Sequence, residues 1–225
     1  MKKHLMVLII GLGSILPMHA EVNVEGVNAK KLCDAPRIYY LKDFVSQEEC
    51  DYLIKKATPH LERSRVVGKN AGENILDRAR TSSGAFVPTA DDLVMNKVEK
   101  RIQKLTGYPS KNGEDFHVLH YELGQEYVPH YDYFSGDNEG TKACLKRGGQ
   151  RVATVIIFLH DTDKGGETIF PRVNVAVPPK KGDAVLFYNL TPDNELEPLS
   201  LHGGAPVIKG EKWIATKWIR LGAFR

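Results

Sequence analysis

Arg151–His160, RVATVIIFLH, is the stretch whose reading decides the fold. Val, Ile, Phe and Thr dominate it, and β-branched and aromatic side chains suit a packed, pleated surface better than a helix. Phe116–Leu123, Ala184–Tyr188 and Lys212–Arg220 share its character. Gly- and Pro-bearing turns separate these runs, with Gly165-Gly166 and Lys181-Gly182-Asp183 the clearest. Short strands with no helix read between them point to an antiparallel sheet that is closed or sandwiched. The expected fold is mainly β with α: a double-stranded β-helix, or jelly roll, with N-terminal helices packed on one sheet.

Two helices precede the strands. Ser46 is a good N-cap with Glu49 three residues on, a capping box, and a helix should run to about Ala57. Cys50, Leu53, Ile54 and Ala57 would form its inner face, and Pro59 would close it. A second helix is expected over Asp91–Leu105, with Leu93, Val94, Val98, Ile102 and Leu105 as its stripe and Gly107 as its stop. Ile38–Leu41 reads as a short strand. Arg65–Phe86 reads as strand, loop, strand, with the Gly- and Asn-bearing loop 68–78 exposed and mobile.

The chain has 225 residues and a formal charge of +3, which suits one domain with a substantial core. It lacks the basic tracts of a nucleic-acid-binding protein. Residues 1–20 read as a secretory signal: Lys2 and Lys3, an apolar run from Leu5 to Leu16, then Pro17-Met18-His19-Ala20 with a cut after Ala20. Export is therefore expected, to a periplasm, a secretory lumen or the exterior, with membrane contact only in transit. An uncleaved membrane anchor is the alternative. Residues 21–35 read as a loose arm and 36–225 as the domain. Cys33, Cys50 and Cys144 are odd in number, so one pair is free to oxidise and one thiol stays over.

His130-Tyr131-Asp132, followed by a distant His202, carries the chemistry. On an extended segment His130 and Asp132 point the same way. Two imidazoles and one carboxylate on one side of iron(II) leave three positions open, enough for a bidentate keto acid and dioxygen. A His-x-Asp triplet is common by chance, so it needs support from its flanks. Lys212 supplies some. A lysine facing into a barrel is costly unless it meets an anion, and a dicarboxylate would be that anion. Alternation leaves open whether Lys212 or Trp213 faces inward. His117, His120 and His160 read as surface or satisfied core histidines.

Taken in order, His120-Tyr121 to Tyr133, Gly148-Gly149-Gln150-Arg151-Val152-Ala153-Thr154, Gly165-Gly166-Glu167-Thr168, Lys181-Gly182-Asp183-Ala184 and His202-Gly203-Gly204-Ala205-Pro206-Val207 to Lys212-Trp213 resemble the catalytic domain of prolyl 4-hydroxylases. These are iron(II)- and 2-oxoglutarate-dependent dioxygenases, and the likeness is to the compact plant, algal, viral and bacterial type. The resemblance implies His130, Asp132 and His202 as iron ligands, and Lys212, helped by Tyr121 and Thr168, as the partner of the far carboxylate of 2-oxoglutarate. It implies Arg80, Ser82, Glu114, Tyr127, Arg151 and Trp218 along a peptide groove. Tyr and Trp offer flat faces to proline rings, and Arg can bond the carbonyls of a polyproline II segment. The implied reaction hydroxylates C4 of peptidyl proline in a proline-rich or collagen-like chain and releases succinate and carbon dioxide, with ascorbate as a further cofactor. The same chemistry on a free amino acid, a lysine or a folded loop is an alternative; a non-catalytic jelly-roll module is another. Arg220 departs from the plant-type pattern, which often has histidine after Lys-Trp-Ile.

Overall fold

A computed structural model describes residues 22–225. The 1–20 signal reading falls outside them. Sixteen strands and three α-helices follow in chain order. They begin with β1 (Asn28–Cys33), β2 (Ile38–Lys42) and helix α1 (Gln47–Ala57), then β3 (Glu62–Arg63), β4 (Val66–Val67), β5 (Asn74–Ile75), β6 (Ser83–Val87) and helix α2 (Leu93–Thr106). Next come β7 (Phe116–Tyr121), β8 (Tyr127–His130), helix α3 (Glu139–Lys146), β9 (Arg151–Phe158), β10 (Lys164–Gly165), β11 (Thr168–Phe170), β12 (Val175–Val177) and β13 (Ala184–Tyr188). The chain ends with β14 (His202–Gly204), β15 (Val207–Lys209) and β16 (Lys212–Arg220).

An eight-stranded antiparallel sheet, ordered β1-β2-β13-β9-β16-β7-β6-β3, is the scaffold. A four-stranded sheet, β12-β11-β14-β8, faces it. Period-two alternation splits each central strand between two cores. On β16, Trp213, Ala215 and Ile219 join Leu53, Val98 and Ile102 of the helices in one core. Ile214 of β16, with Ile156, Phe158, Phe170 and Phe187, fills the space between the sheets. The result is helices on one face of the large sheet and the small sheet on the other, as the jelly-roll reading expected.

Ser46 caps α1 with the full capping box, and Gly107 ends α2 at φ 74°, a left-handed conformation that costs glycine little. Four expectations need correction. The stretch read as a loose arm holds β1, which pairs with β2 as the edge of the large sheet. The inner face of α2 is Met95, Val98, Ile102 and Leu105, while Leu93 is 80% exposed, because Asp92 takes the cap and turns the first residue outward. The loop 68–78 begins as a hairpin, with Val66–Val67 paired to Asn74–Ile75. Helix α3, capped by Asn138, lies between β8 and β9, where no helix was read. All three cysteines are unpaired.

Glu99 sits on the buried face of α2 and forms ion pairs with Lys217 of β16 and with Arg225. This contact fixes the helix to the sheet by charge as well as by apolar packing. Glu99→Ala should leave a buried ammonium without a partner and destabilise the protein by about 3–5 kcal/mol. Urea unfolding of parent and variant checks it.

Candidate metal centre and substrate groove

The small sheet sets the site. His130 ends β8 and His202 begins β14, and the two are direct antiparallel partners. Asp132 lies two residues on, in a bend past the end of β8 rather than on a continuing strand. Its Oδ1 is 3.6 Å from His130 Nε2, and its Oδ2 is 3.5 Å from His202 Nε2. One ligand atom from each of the three residues lies within 4.8 Å of the others.

Each donor is oriented from behind. His130 Nδ1 faces the Val128 carbonyl at 2.9 Å, and His202 Nδ1 faces the Ser200 carbonyl at 3.0 Å. A backbone carbonyl can only accept, so Nδ1 carries the proton and Nε2 keeps its lone pair. The Thr154 hydroxyl donates to Asp132 Oδ2 at 2.8 Å and accepts from Asn189 Nδ2 at 2.9 Å. Tyr127 stacks on His130 with ring centroids 3.6 Å apart, and Phe187 packs on His202 at 4.4 Å. Burial pushes the His202 imidazole down to about 4 despite the opposing pull of Asp132, so the ring is neutral at pH 7. Burial alone would raise the Asp132 carboxyl, but His202, His130 and Arg151 hold it well below the usual range. The neutral His202 imidazole, the His130 Nε2 that the Nδ1 contact leaves facing the site, and the ionised carboxylate form the donor set a divalent metal requires. Their chemistry and one-sided placement fit iron(II) with open positions.

A cavity between the sheets joins this triad to Lys212 and is lined by Tyr121, Thr168, Gly204, Leu119, Ile156 and Ile214. Lys212 faces inward and Trp213 faces the helices, which resolves the alternation left open by the sequence. Lys212 pairs in register with Tyr121, Thr168 pairs with Gly204, and the Lys212 ammonium lies 5.3 Å from the Tyr121 ring centroid. A Cβ on Gly204 would stand 3.3 Å from Lys212 Nζ, so the glycine leaves room beside the ammonium. Burial lowers Lys212 to about 8, with Glu167 pulling the other way. Among the described residues no carboxylate reaches ion-pair distance of it. A buried cation of this kind is suited to an incoming anion.

On the solvent side the triad opens into a groove of about 660 Å³. Arg80, Glu114, Tyr127, Arg151 and Trp218 border it, as the resemblance implied. Ser82 does not: it is fully buried, with its hydroxyl 2.9 Å from that of Ser64. Arg151 grips Glu114 through two bonds of 2.7 and 2.9 Å and lies 3.8 Å over Trp218. Arg220 reaches the same carboxylate at 2.6 Å and the Gly149 carbonyl at 2.5 Å, so its guanidinium is spent on holding the groove floor. His117, read from sequence as a bland histidine, also lines the groove, stacked on Phe86 at 4.2 Å. Its alternation with Val118 on β7 is the signal that could have placed it. His120 pairs with Glu211 and stacks on Trp213, away from the site.

A family described as the 2OG-Fe(II) oxygenase superfamily matches residues 116–220. "Probable prolyl 4-hydroxylase 10" of Arabidopsis thaliana is 44% identical over 209 residues, covering 84% of this chain and 71% of that protein. "Prolyl 4-hydroxylase 5" of the same plant is 46% identical, with 84% and 70% covered. The chain belongs to the prolyl 4-hydroxylase family. A solved viral collagen prolyl hydroxylase from Paramecium Bursaria Chlorella virus-1, in a 2OG complex, is 30% identical with a TM-score of 0.65, covering 84% of this chain and 98% of that one. This prolyl 4-hydroxylase family member is thus an iron- and 2-oxoglutarate-dependent oxygenase, and its triad and Lys212 have the chemistry those two groups need.

Lys212→Ala removes a charge-assisted bond worth about 1.5–3 kcal/mol, so it should raise the KM for 2-oxoglutarate about 10- to 100-fold. Iron affinity, measured by titration, should move far less, because no ligand is lost. A second outcome concerns pH. The free enzyme's ammonium loses its proton as pH rises through about 8, and a dianion prefers the protonated form. Affinity for 2-oxoglutarate, followed by calorimetry, should therefore hold below pH 8 and fall above it.

Proposed function

We propose that this chain hydroxylates C4 of proline in a peptide, converting 2-oxoglutarate and dioxygen to succinate and carbon dioxide. One observation carries the reading: the metal triad opens into a groove bordered by Tyr127, Trp218, Arg80 and Arg151. That set brings aromatic rings and N–H donors into one groove, which suits a polyproline II segment with pyrrolidine rings and free carbonyls. Iron(II) with 2-oxoglutarate would supply the oxidising power for the C–H bond.

The chain's own residues bind, orient and keep water out. His130, Asp132 and His202 would hold the metal from one side. Lys212 would neutralise the far carboxylate of the keto acid, with Thr168 and Tyr121 beside it. Leu119, Ile156 and Ile214 line the space between and exclude solvent from it. Tyr127, stacked on His130 and lying under the Arg80 guanidinium 4.9 Å from its ring centroid, ties the peptide groove to a ligand. Ascorbate would act as a reductant that restores spent iron. Export through the apolar leader at residues 1–20 remains part of the proposal, as does a proline-rich or collagen-like substrate.

The decisive assay offers poly-proline and collagen-like peptides to the purified protein with iron(II), 2-oxoglutarate and ascorbate. Mass spectrometry should find one added oxygen per modified proline, with succinate released in step. Oxygen found only on a free amino acid, a lysine or a non-proline site overturns the proline assignment. Arg151→Ala should raise peptide KM more than it raises the KM for 2-oxoglutarate. Equal loss of both would make Arg151 a support of the fold.

A further inference from the structure

Two unlike stretches of chain border the peptide groove. On one side, apart from the metal-site carboxylate of Asp132, the border is aromatic and uncharged: Tyr131 and Tyr133 stack with centroids 4.5 Å apart, followed by Phe134 and Ser135. Residues 62–69 give a cationic one, with Arg63, Arg65 and Lys69, and Arg80 lines the same groove. None of these four cations forms an ion pair among the described residues. Arg63 donates to the Ser82 carbonyl at 2.9 Å, Arg65 to the Asn74 carbonyl at 3.2 Å, and Arg80 reaches the Arg65 carbonyl at 3.5 Å and His117 Nδ1 at 3.4 Å. Glu62 is the one carboxylate on that border, which leaves it net positive. The floor adds to the imbalance, since Arg151 and Arg220 share the single carboxylate of Glu114.

The groove also holds unanswered donors. Arg80 Nε and Trp218 Nε1 are buried and lack partners, and both residues are more than nine-tenths buried. An orphaned buried N–H calls for an acceptor, and the strongest acceptor a peptide carries is a carboxylate. Clustered cations on a concave border also reinforce one another's field and draw in an oppositely charged chain.

Building on the peptidyl-proline reading, we propose that the preferred substrate carries Asp or Glu next to the target proline, received by Arg63, Arg65 and Lys69. The tyrosine border takes the proline rings, and the basic border takes the acidic side chains. Substrate choice in this account is set by charge on residues 62–69, outside the iron and 2-oxoglutarate sites.

The test compares KM values for three proline repeats of equal length, spaced by Glu, Ser or Lys, using the full enzyme and mass-spectrometric detection. The Glu repeat should have a KM about tenfold below the Ser repeat, the sum of several weak exposed pairs. The Lys repeat should rank last, and the spread should shrink at high salt. Combined Arg63→Gln, Arg65→Gln and Lys69→Gln should level the Glu and Ser repeats. Arg65→Glu with Lys69→Glu should turn the preference toward the Lys repeat, a gain that a misfolded variant cannot show. Equal KM values for all three repeats, or a Glu preference that survives the triple Gln variant, overturns the inference and leaves the proline assignment standing. If no proline repeat of any charge gains oxygen, the proline assignment falls and this inference falls with it.

Discussion

A single carboxylate held between two imidazoles organises this molecule. Asp132 touches neither histidine as an ordinary ion pair would, at 3.5 and 3.6 Å, yet it faces both. That spacing is stable because each group is anchored by something else. Backbone carbonyls accept from the two Nδ1–H groups, and the Thr154 hydroxyl, itself held by Asn189, donates to Asp132. The histidines come from neighbouring strands of the small sheet, while Thr154 comes from the large one. The site therefore exists only when the two sheets have packed, and the apolar residues between them serve the metal as much as they serve stability.

The treatment of buried charge separates scaffold from site. Lys212 and Lys217 lie on one strand, five residues apart and on opposite faces, and burial pushes both down to about 8. Lys217 is neutralised within the chain by Glu99 and so belongs to the fold. Lys212 has no such partner and lies in the cavity that leads to the triad. Glu114 offers the same lesson from the other sign. Burial would raise its carboxyl, but Arg151 and Arg220 hold it below the usual range and it becomes the keystone of the groove floor.

Much of this was readable from residues alone. The capping box at Ser46, the glycine stop at Gly107 and the long apolar strands around Arg151 and Lys212 are local signals strong enough to survive tertiary context. The jelly-roll reading rested on those strands. The metal residues were recognisable only with their flanks, because a His-x-Asp triplet has little weight by itself. What escaped depended on partners distant in sequence. The segment around Asn28 is a strand because Ile38–Lys42 offers it an edge, not because its polar residues favour one. Helix α3 is only eight residues long, buries just Gly140 and Thr141, and is capped by Asn138. Ser82 and Arg220 have the right chemistry for the groove, but their polar groups are directed to Ser64 and to Glu114 and Gly149.

The most direct test is anaerobic titration of the metal-free protein with iron(II), for the parent and for Asp132→Ala, with circular dichroism to follow the fold. One equivalent of iron should bind the parent at the single three-donor cluster found among the described residues, and the variant should lose that tight binding while staying folded. Unchanged iron affinity in a folded Asp132→Ala protein would contradict the account.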